Sequence, residues 1–230
     1  MKANVILKLG ILLIGVSFVQ FSTAGPHDFD ILLFAQQWTK SLCYQYKKPP
    51  NKCNLPNHND WTVHGIWPSK LNERGPESCK NIPFKPQDLA SIKGDLDSHW
   101  LSIHGPNANG FWKHEWDKHG TCSVPLPILN TQFKYFLTGI NLNKQYNIRQ
   151  MLEGAGITPG RSFPINTIMS ALNRALKTSP QVTCIWSGGH QYIQEVRICF
   201  DKQLKITNCK GKLAYETNCN TKSNVVYPPK

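Results

Sequence analysis

Several chemical signatures are absent from this 230-residue sequence. No two cysteines form a C-x-x-C pair, which argues against a zinc ribbon or a thioredoxin-type site. There is no G-x-S-x-G elbow for a serine nucleophile, and no N-x-S/T sequon for N-glycosylation. Acidic residues are few, with 14 Asp and Glu against 26 Lys and Arg, and the net charge is +12. Such a surface attracts polyanions, among them RNA, DNA, heparin-like glycans and anionic lipid.

A long apolar run occurs only once, at the start of the chain. Two early lysines and the stretch from Leu9 to Phe21 are followed by small residues up to Ala24. This pattern predicts a signal peptide over residues 1–24 and a single domain over residues 25–230. The run is short for a membrane span and no second run follows, so we expect no membrane contact after cleavage. A retained N-terminal anchor is the alternative.

All eight cysteines lie in the predicted mature part of the chain, at positions 43, 53, 79, 122, 184, 199, 209 and 219. An even number of cysteines in a secreted chain predicts disulfides, here four. Eight cysteines allow 105 connectivities, so their number alone leaves the pairing open. We therefore expect a secreted, disulfide-bonded protein, with delivery to the lysosome as the alternative location.

Apolar residues recur at helical spacing in the middle of the chain. The stretches are Leu89 to Trp100, Phe133 to Ile140, Ile148 to Leu152 and Ile165 to Leu176. These stripes predict helices that pack on a core. Pro86 is a suitable start for the first of them.

Strand patterns stand at the two ends of the mature chain. They cover the first half of Asp28 to Trp38, then Val182 to Trp186, Tyr192 to Phe200 and a return strand from Leu204 to Asn208. The polar stretch from Lys47 to Asp60 predicts a surface loop. Strands at the ends and helices between them, with no linker or repeat, indicate one α+β domain.

A further strand is predicted at the start of WTVHGIWPS, residues 61–69. Gly65 and Pro68 should break it. Within the strand, His64 should share a face with Thr62.

The stretch GFWKHEWDKHGTCS, residues 110–123, is the densest group of ionisable side chains in the sequence. On an α-helix, His114, Glu115, Lys118 and His119 would fall within about 140° of arc, beside a stripe made by two tryptophans. A solvated helix of mixed charge is the simplest interpretation. Zinc is disfavoured, because the histidines are five apart rather than four and Lys118 occupies the place of the second ligand.

His64 and this cluster together suit acid–base catalysis. Imidazole exists in both protonation states near neutral pH, and a lysine and a glutamate can stabilise charge that develops in a transition state. Phosphoryl transfer on RNA without a metal or cofactor fits these groups. One histidine would take the proton of the ribose 2′-OH and the other would protonate the departing 5′-oxygen, while Lys118 neutralises the phosphoryl oxygens.

WTVHGIWPS and FWKHEWDKHGTCS resemble the two active-site segments of the ribonuclease T2 family, in the family's order. The resemblance extends from Asp28-Phe29-Asp30 to the last cysteines, and the ending VVYPPK is similar to animal members. It implies an α+β fold with a central antiparallel sheet flanked by helices. It also implies an endoribonuclease that cleaves single-stranded RNA through a 2′,3′-cyclic phosphate. We expect the protein to be a monomer.

The resemblance also assigns roles to the residues of the two segments. His64 and His119 become the catalytic pair, with His119 preferred as base and His64 as acid. His114 then contacts phosphate, and Glu115 and Lys118 stabilise the pentacovalent state.

Three further residues match positions that contact bases in the family, namely Gln37, Trp67 and Phe111; the two aromatic residues could instead belong to the core. Many relatives have Asp after the Trp-Pro of the first segment, where this chain has Ser69, so the resemblance implies low base specificity. The family pattern also implies the disulfides Cys43–Cys53, Cys79–Cys122, Cys184–Cys219 and Cys199–Cys209.

Two other functions compete with this interpretation. A secreted protein of the same fold could act mainly by binding receptors or glycans, which the basic charge would suit. A metallohydrolase is the second rival.

Overall fold

The computed structural model describes residues 28–46, 53–58 and 60–229. The predicted signal peptide and residues 47–52 and 59 of the predicted loop lie outside these ranges. The strands are β1 Ile31–Gln37, β2 Thr62–Ser69, β3 Arg161–Phe163, β4 Gln181–Ser187, β5 His190–Phe200, β6 Ile206–Thr207 and β7 Val225–Tyr227. The α-helices are α1 Thr39–Gln45, α2 Lys93–His99, α3 Asn109–Glu115, α4 Thr121–Ser123, α5 Gln132–Gln145, α6 Ile148–Glu153 and α7 Ile165–Leu176. A 3-10 helix spans Pro86–Ile92 and a π-helical turn spans Trp116–Gly120.

The seven strands form one sheet around β5, in the order β2-β1-β5-β7-β3, with β4 and β6 also paired to β5. The predicted α+β architecture with flanking helices is confirmed. The sheet is mixed rather than wholly antiparallel, because β5 and β7 pair in parallel through Gln191↔Val225 and Tyr192↔Val226. A long connection precedes β7, and parallel neighbours require such a crossover.

The strand β2 continues through both residues that were expected to break it. Gly65 pairs with Ala35 and Pro68 pairs with Leu32. Pro68 is tolerated because, in the described part of the chain, β2 pairs only with β1, and an edge strand need not donate from every residue. The predicted break was therefore wrong. The return strand is shorter than predicted, because Leu204 has a positive φ of 59° and pairing with β5 begins only at Ile206.

A register shift in β2 changes its alternation. Ala35 pairs with Gly65 while Gln36 pairs with Val63, so His64 is the additional residue of a β-bulge. The prediction that His64 shares a face with Thr62 assumed regular alternation, and the pairing is interrupted at His64. Bulges re-aim side chains and are common beside active sites.

The helices pack an aromatic core against the sheet. The indole of Trp100 lies 4.8 Å from the Phe136 ring, and the indole of Trp116 lies 5.8 Å from the Tyr135 ring, measured between centroids. The Tyr135 hydroxyl donates to the backbone oxygen of Ile66 at 3.0 Å, which fixes α5 to β2. The predicted stripes are buried in this core, although the first of them divides into the 3-10 helix and α2.

Four disulfides are present, and they are the pairs that the resemblance implies. They join Cys43 to Cys53, Cys79 to Cys122, Cys184 to Cys219 and Cys199 to Cys209. The second of them fixes the end of the ionisable segment to the loop before the 3-10 helix. In the described ranges, no helix is both long enough and apolar enough to cross a membrane.

Candidate active site

The sheet and the ionisable segment meet at His64. Its backbone oxygen accepts a hydrogen bond from Trp100 Nε1 at 3.0 Å, so the bulge is fixed to the core. Its ring lies between Trp67 and Phe111, with centroid distances of 4.9 Å and 5.9 Å. The side chain keeps 33% of its surface exposed, which leaves room for a substrate.

Two glutamates face the His64 ring. Its Nδ1 lies 2.5 Å from Oε2 of Glu195, and its Nε2 lies 3.8 Å from Oε1 of Glu115. Burial alone would lower the pKa of His64, but the charge and hydrogen bond of Glu195, and then the charge of Glu115, raise that pKa above its usual value. This imidazole is therefore disposed to hold a proton.

Glu115 is almost fully buried, with 1% of its surface exposed. Its Oε2 accepts a hydrogen bond from Trp67 Nε1 at 3.0 Å. Burial raises the pKa of Glu115 to about 7, although His64 and the Trp67 indole favour the anion. Gly65 leaves the space that this contact needs, because a Cβ there would lie 2.2 Å from Glu115 Oε2 and 2.3 Å from Trp67 Nε1.

The ionisable segment is not one α-helix, as was predicted. It is α-helical as far as Glu115 and then makes the π turn Trp116–Gly120. A π turn closes through i→i+5 bonds, so residues five apart, such as His114 and His119, lie about one turn apart. The local packing requires glycine at position 120, where a Cβ would come within 2.4 Å of the Trp116 ring.

His119 lies in the π turn among cations. Its Nδ1 is buried, and no hydrogen-bond partner for it is found in the described part of the chain. Burial lowers the pKa of His119 to about 3, and the positive charge of Lys118 is the next cause. The ring also lies 5.4 Å from Trp67, centroid to centroid. His119 is thus held neutral, in contrast to His64.

Lys118 and His114 complete the group. Nζ of Lys118 lies 3.5 Å from Oε1 of Glu77, and its backbone oxygen accepts from the N–H of Ser78 at 2.8 Å. Burial lowers the pKa of His114, and the neighbouring Lys118 charge lowers it further. Across the described ranges, no cluster of three or more His, Cys, Asp or Glu side chains could hold a metal ion.

The predicted base-contacting residues line two separate cavities of about 240 Å³ each. Gln37 and Phe111 lie in the cavity on the His64 side. Trp67 lies in the cavity on the His119 side, together with Ser69. Each of the two histidines therefore has a cavity beside it.

Glu195 and Arg197 belong to the site but were missed in the sequence. Glu195 is 131 positions from the histidine it contacts, so only the order of strands brings them together. One signal was available: QEVRICF puts two opposite charges two residues apart in a strand that is otherwise largely apolar, and residues so spaced share a face.

Comparison with known proteins shows the family to which this chain belongs. The model of the ribonuclease T2 family matches residues 29–209. Ribonuclease Oy of Magallana gigas is 34% identical over 211 residues, which cover 88% of this chain and 97% of that protein. Extracellular ribonuclease LE of Solanum lycopersicum is 29% identical over 210 residues, covering 87% and 89%.

The structure of human RNase T2 superposes with a TM-score of 0.72 at 26% identity, covering 87% of this chain and 99% of that one. Both the family match and the fold thus extend over most of the chain. This chain belongs to the ribonuclease T2 family and is an endoribonuclease of that type.

Proposed function

We propose that the protein cleaves single-stranded RNA by transesterification, without a metal or cofactor. The ribose 2′-OH attacks the adjacent phosphorus, the 5′-oxygen leaves, and a 2′,3′-cyclic phosphate forms. One observation carries this proposal: the cleft holds two imidazoles in opposite settings, His64 against carboxylates and His119 against cations. One is suited to deliver a proton and the other to accept one.

His119 is the base. With its pKa lowered to about 3, chiefly by burial, it is neutral over the whole working range of pH and can take the 2′-OH proton. An arriving phosphate brings negative charge beside Lys118, which raises the proton affinity of His119 at the moment of attack.

His64 is the acid. The ionised carboxylate of Glu195 keeps its proton in place up to a pH above the usual imidazole value. It delivers this proton to the 5′-oxygen as the P–O bond breaks. The two transfers balance, because the base gains the proton that the nucleophile loses and the acid supplies the proton that the leaving group gains.

Three further side chains stabilise the pentacovalent state. Lys118 places a positive charge near the phosphoryl oxygens, and His114 contacts the phosphate. Below about pH 7, buried Glu115 is a neutral acid that can donate a hydrogen bond to a phosphoryl oxygen. Such stabilisation acts where charge is greatest, in the transition state.

The two cavities are the sites of the bases on either side of the scissile bond. Gln37 and Phe111 contact one base, and Trp67 contacts the other. Ser69 carries no charge, and its hydroxyl already donates to the Trp67 backbone oxygen at 3.1 Å. A side chain so engaged discriminates weakly, which supports low base specificity.

The mature protein is proposed to be a secreted monomer that begins after Ala24. The predicted signal peptide, the four disulfides and the relative named as extracellular support secretion. N-terminal sequencing of the secreted protein and light scattering of the purified protein test these two points.

The decisive experiment follows an RNA oligonucleotide and its DNA counterpart in the presence of EDTA. RNA should yield a 2′,3′-cyclic phosphate as the first product, identified by mass spectrometry. DNA lacks the 2′-OH, so it should bind as a competitive inhibitor and remain intact. A His64→Ala/His119→Ala double variant is the control for contaminating nuclease.

Three results would contradict the proposal. Cleavage of DNA or a 5′-phosphate product would indicate an activated water as nucleophile. Loss of activity with EDTA and its return with zinc would support the metallohydrolase. Equal activity in the wild type and the double variant would show that His64 and His119 do not carry the activity.

A further inference from the structure

We propose that Glu195 is a positioning residue for His64, holding the ring by Nδ1 so that Nε2 is the nitrogen that delivers the proton. The inference rests on the proposed function, since it requires His64 to be the acid. It adds a partner on β5, outside the two segments that carry the catalytic group. Arg197 takes part as the counter-ion of Glu195.

The contacts fix the orientation of the ring. Glu195 is buried, with 2% of its surface exposed, and both of its carboxylate oxygens are engaged. Oε2 lies 2.5 Å from His64 Nδ1, and Oε1 accepts from Arg197 Nε at 2.6 Å. An ionised carboxylate only accepts hydrogen bonds, so Nδ1 must carry a proton. The nitrogen that gains and loses a proton is then Nε2, which faces Glu115 and the cleft.

Arg197 keeps the Glu195 charge in place. Its Nη1 donates to Gln181 Oε1 at 2.9 Å, and its guanidinium lies 5.0 Å from the centroid of the Trp67 ring. Burial favours the neutral acid, but His64 and Arg197 together hold the pKa of Glu195 below its usual value. A fixed negative charge beside Nδ1 stabilises the imidazolium form, as buried carboxylates do for other catalytic histidines.

The two buried glutamates beside His64 are therefore not equivalent. Glu115 has one indole hydrogen bond and an imidazole at 3.8 Å, and burial raises its pKa to about 7. Glu195 has an imidazole at 2.5 Å and a guanidinium at 2.6 Å, and it remains ionised. Environments that separate the pKa values of two neighbouring carboxyls give them different roles. Glu195 sets the charge and orientation of the acid, and Glu115 faces the phosphate.

Strand register explains how Glu195 reaches this place. Gln37 of β1 pairs with Thr62 on one side and with Glu195 on the other, so β1 aligns the other two strands. In β5, Thr183 pairs with Glu195 and Cys184 pairs with Ile193, which leaves one additional residue between them. One bulge, at His64 in β2, and a second bulge, beside Glu195 in β5, thus lie where the two residues meet.

Substitution Glu195→Gln keeps the side-chain size and removes the charge. We expect kcat to fall about 100-fold and KM to change less than about twofold, because the substrate does not touch this residue. The basic limb of the kcat profile should move to lower pH. In NMR titration, the His64 pKa should fall by a similar amount.

The titration must take account of every charged group that faces His64. These are Glu195 and Arg197 from β5, Glu115 and His114 from α3, and His119 from the π turn. All except Glu195 are unchanged in the variant, so a change in the His64 pKa reports the lost carboxylate. The matched control is Glu153→Gln, which breaks a Glu–Arg pair with a similar contact of 2.7 Å on α6.

A second variant tests the inference even if Glu195→Gln does not fold. Glu195→Asp keeps the charge but withdraws it by one methylene, so kcat should fall about 3- to 10-fold while the basic limb stays near its wild-type position. If Glu195→Gln folds, a wild-type kcat with an unmoved basic limb would overturn the inference. If Glu195→Gln does not fold, a wild-type kcat in Glu195→Asp would overturn it. Both outcomes leave the proposed function intact, since that depends on His64 and His119 variants.

Discussion

The two histidines proposed as the catalytic pair, His64 and His119, lie in different electrostatic environments. His64 lies on the sheet, where a glutamate holds one ring nitrogen and its backbone is hydrogen-bonded to the core. His119 lies in the helical segment, where its buried Nδ1 has no hydrogen-bond partner in the described ranges and the nearest charges are positive. A proton on His64 is stabilised by opposite charge, whereas a proton on His119 is opposed by burial and by neighbouring positive charge.

In the proposed mechanism, this difference supplies one reaction with an acid and a base that are side chains of the same type. The carboxylates raise the pKa of His64, while burial and cations lower the pKa of His119 to about 3. At a pH between the two pKa values, His119 is neutral and His64 is protonated, as the proposed reaction requires. We therefore expect the highest rate on the acid side of neutral.

Removing the imidazole of either His64 or His119 should have the largest effect on kcat. His64→Ala and His119→Ala should each lower kcat on an RNA dinucleotide by about 10³-fold or more. The roles separate on a substrate whose leaving group is an aryl oxide, which departs without protonation. That substrate should restore most activity to His64→Ala and little to His119→Ala.

Exposed His190→Ala is the control for this comparison and should behave as the wild type. If the aryl substrate instead rescues the His119 variant, the acid and the base are assigned the wrong way round.

Lys118→Ala should lower kcat by about 10²-fold and raise KM much less, because the charge it meets is greatest in the transition state. Steady-state kinetics on an oligoribonucleotide measures both constants. Lys113→Ala is a matched control from the same segment, since Lys113 is 60% exposed and pairs with Asp117. A rise in KM alone would show that Lys118 serves only to bind the substrate.

Glu115→Gln should change how the free energy of unfolding depends on pH. The folded wild type holds the Glu115 proton more tightly than the unfolded chain, because burial raises its pKa from 4.5 to about 7. The wild type therefore loses stability as pH rises between those values, and the non-titrating glutamine does not. Relative to the wild type, the variant should gain about 2–3 kcal/mol between pH 5 and pH 8.

Denaturant unfolding at the two pH values measures this difference. An equal offset at both would mean that the Glu115 carboxyl titrates normally in the folded protein.

Gly65→Ala should have a smaller effect on kcat, because it disturbs only the contact of β2 with Glu115 and Trp67. Its Cβ would displace the Glu115 carboxylate or the Trp67 indole, which lie 2.2 Å and 2.3 Å from that position. We expect kcat to fall about tenfold, as when a catalytic group is displaced from its productive geometry. Gly94→Ala is the control, because no atom lies within 4 Å of a Cβ there and alanine favours the helix. Unchanged kcat in Gly65→Ala would show that the contact has no part in turnover.

The sequence predicted the helical part of the fold well, because local periodicity determines it. The stripe from Ile165 to Leu176 matches α7 from end to end. The β2 prediction failed at Gly65 and Pro68, because tolerance of both residues depends on the neighbouring strand and on space beside Glu115. No local pattern contains that information.

The candidate site also has one part that local sequence predicts and another part that depends on distant residues. Two short segments contain His64 and the ionisable cluster, so their residue types were sufficient to indicate acid–base chemistry. The contact from His64 to Glu195 spans 131 positions and depends on β1 lying between two strands. The acid and base roles were expected from the resemblance, but the causes of the two pKa shifts were hidden, because they result from burial and, for His64, from Glu195, which is distant in sequence.

The π turn Trp116–Gly120 makes the backbone spacing of this segment as important as its composition. In the π turn, His119 lies about one turn from His114. If the same residues formed an ordinary α-helix, His119 would lie about 140° around the axis from His114 and would point away from His64, although no residue had changed. The segment should therefore tolerate substitutions on its outer surface far more readily than changes that remove the π turn.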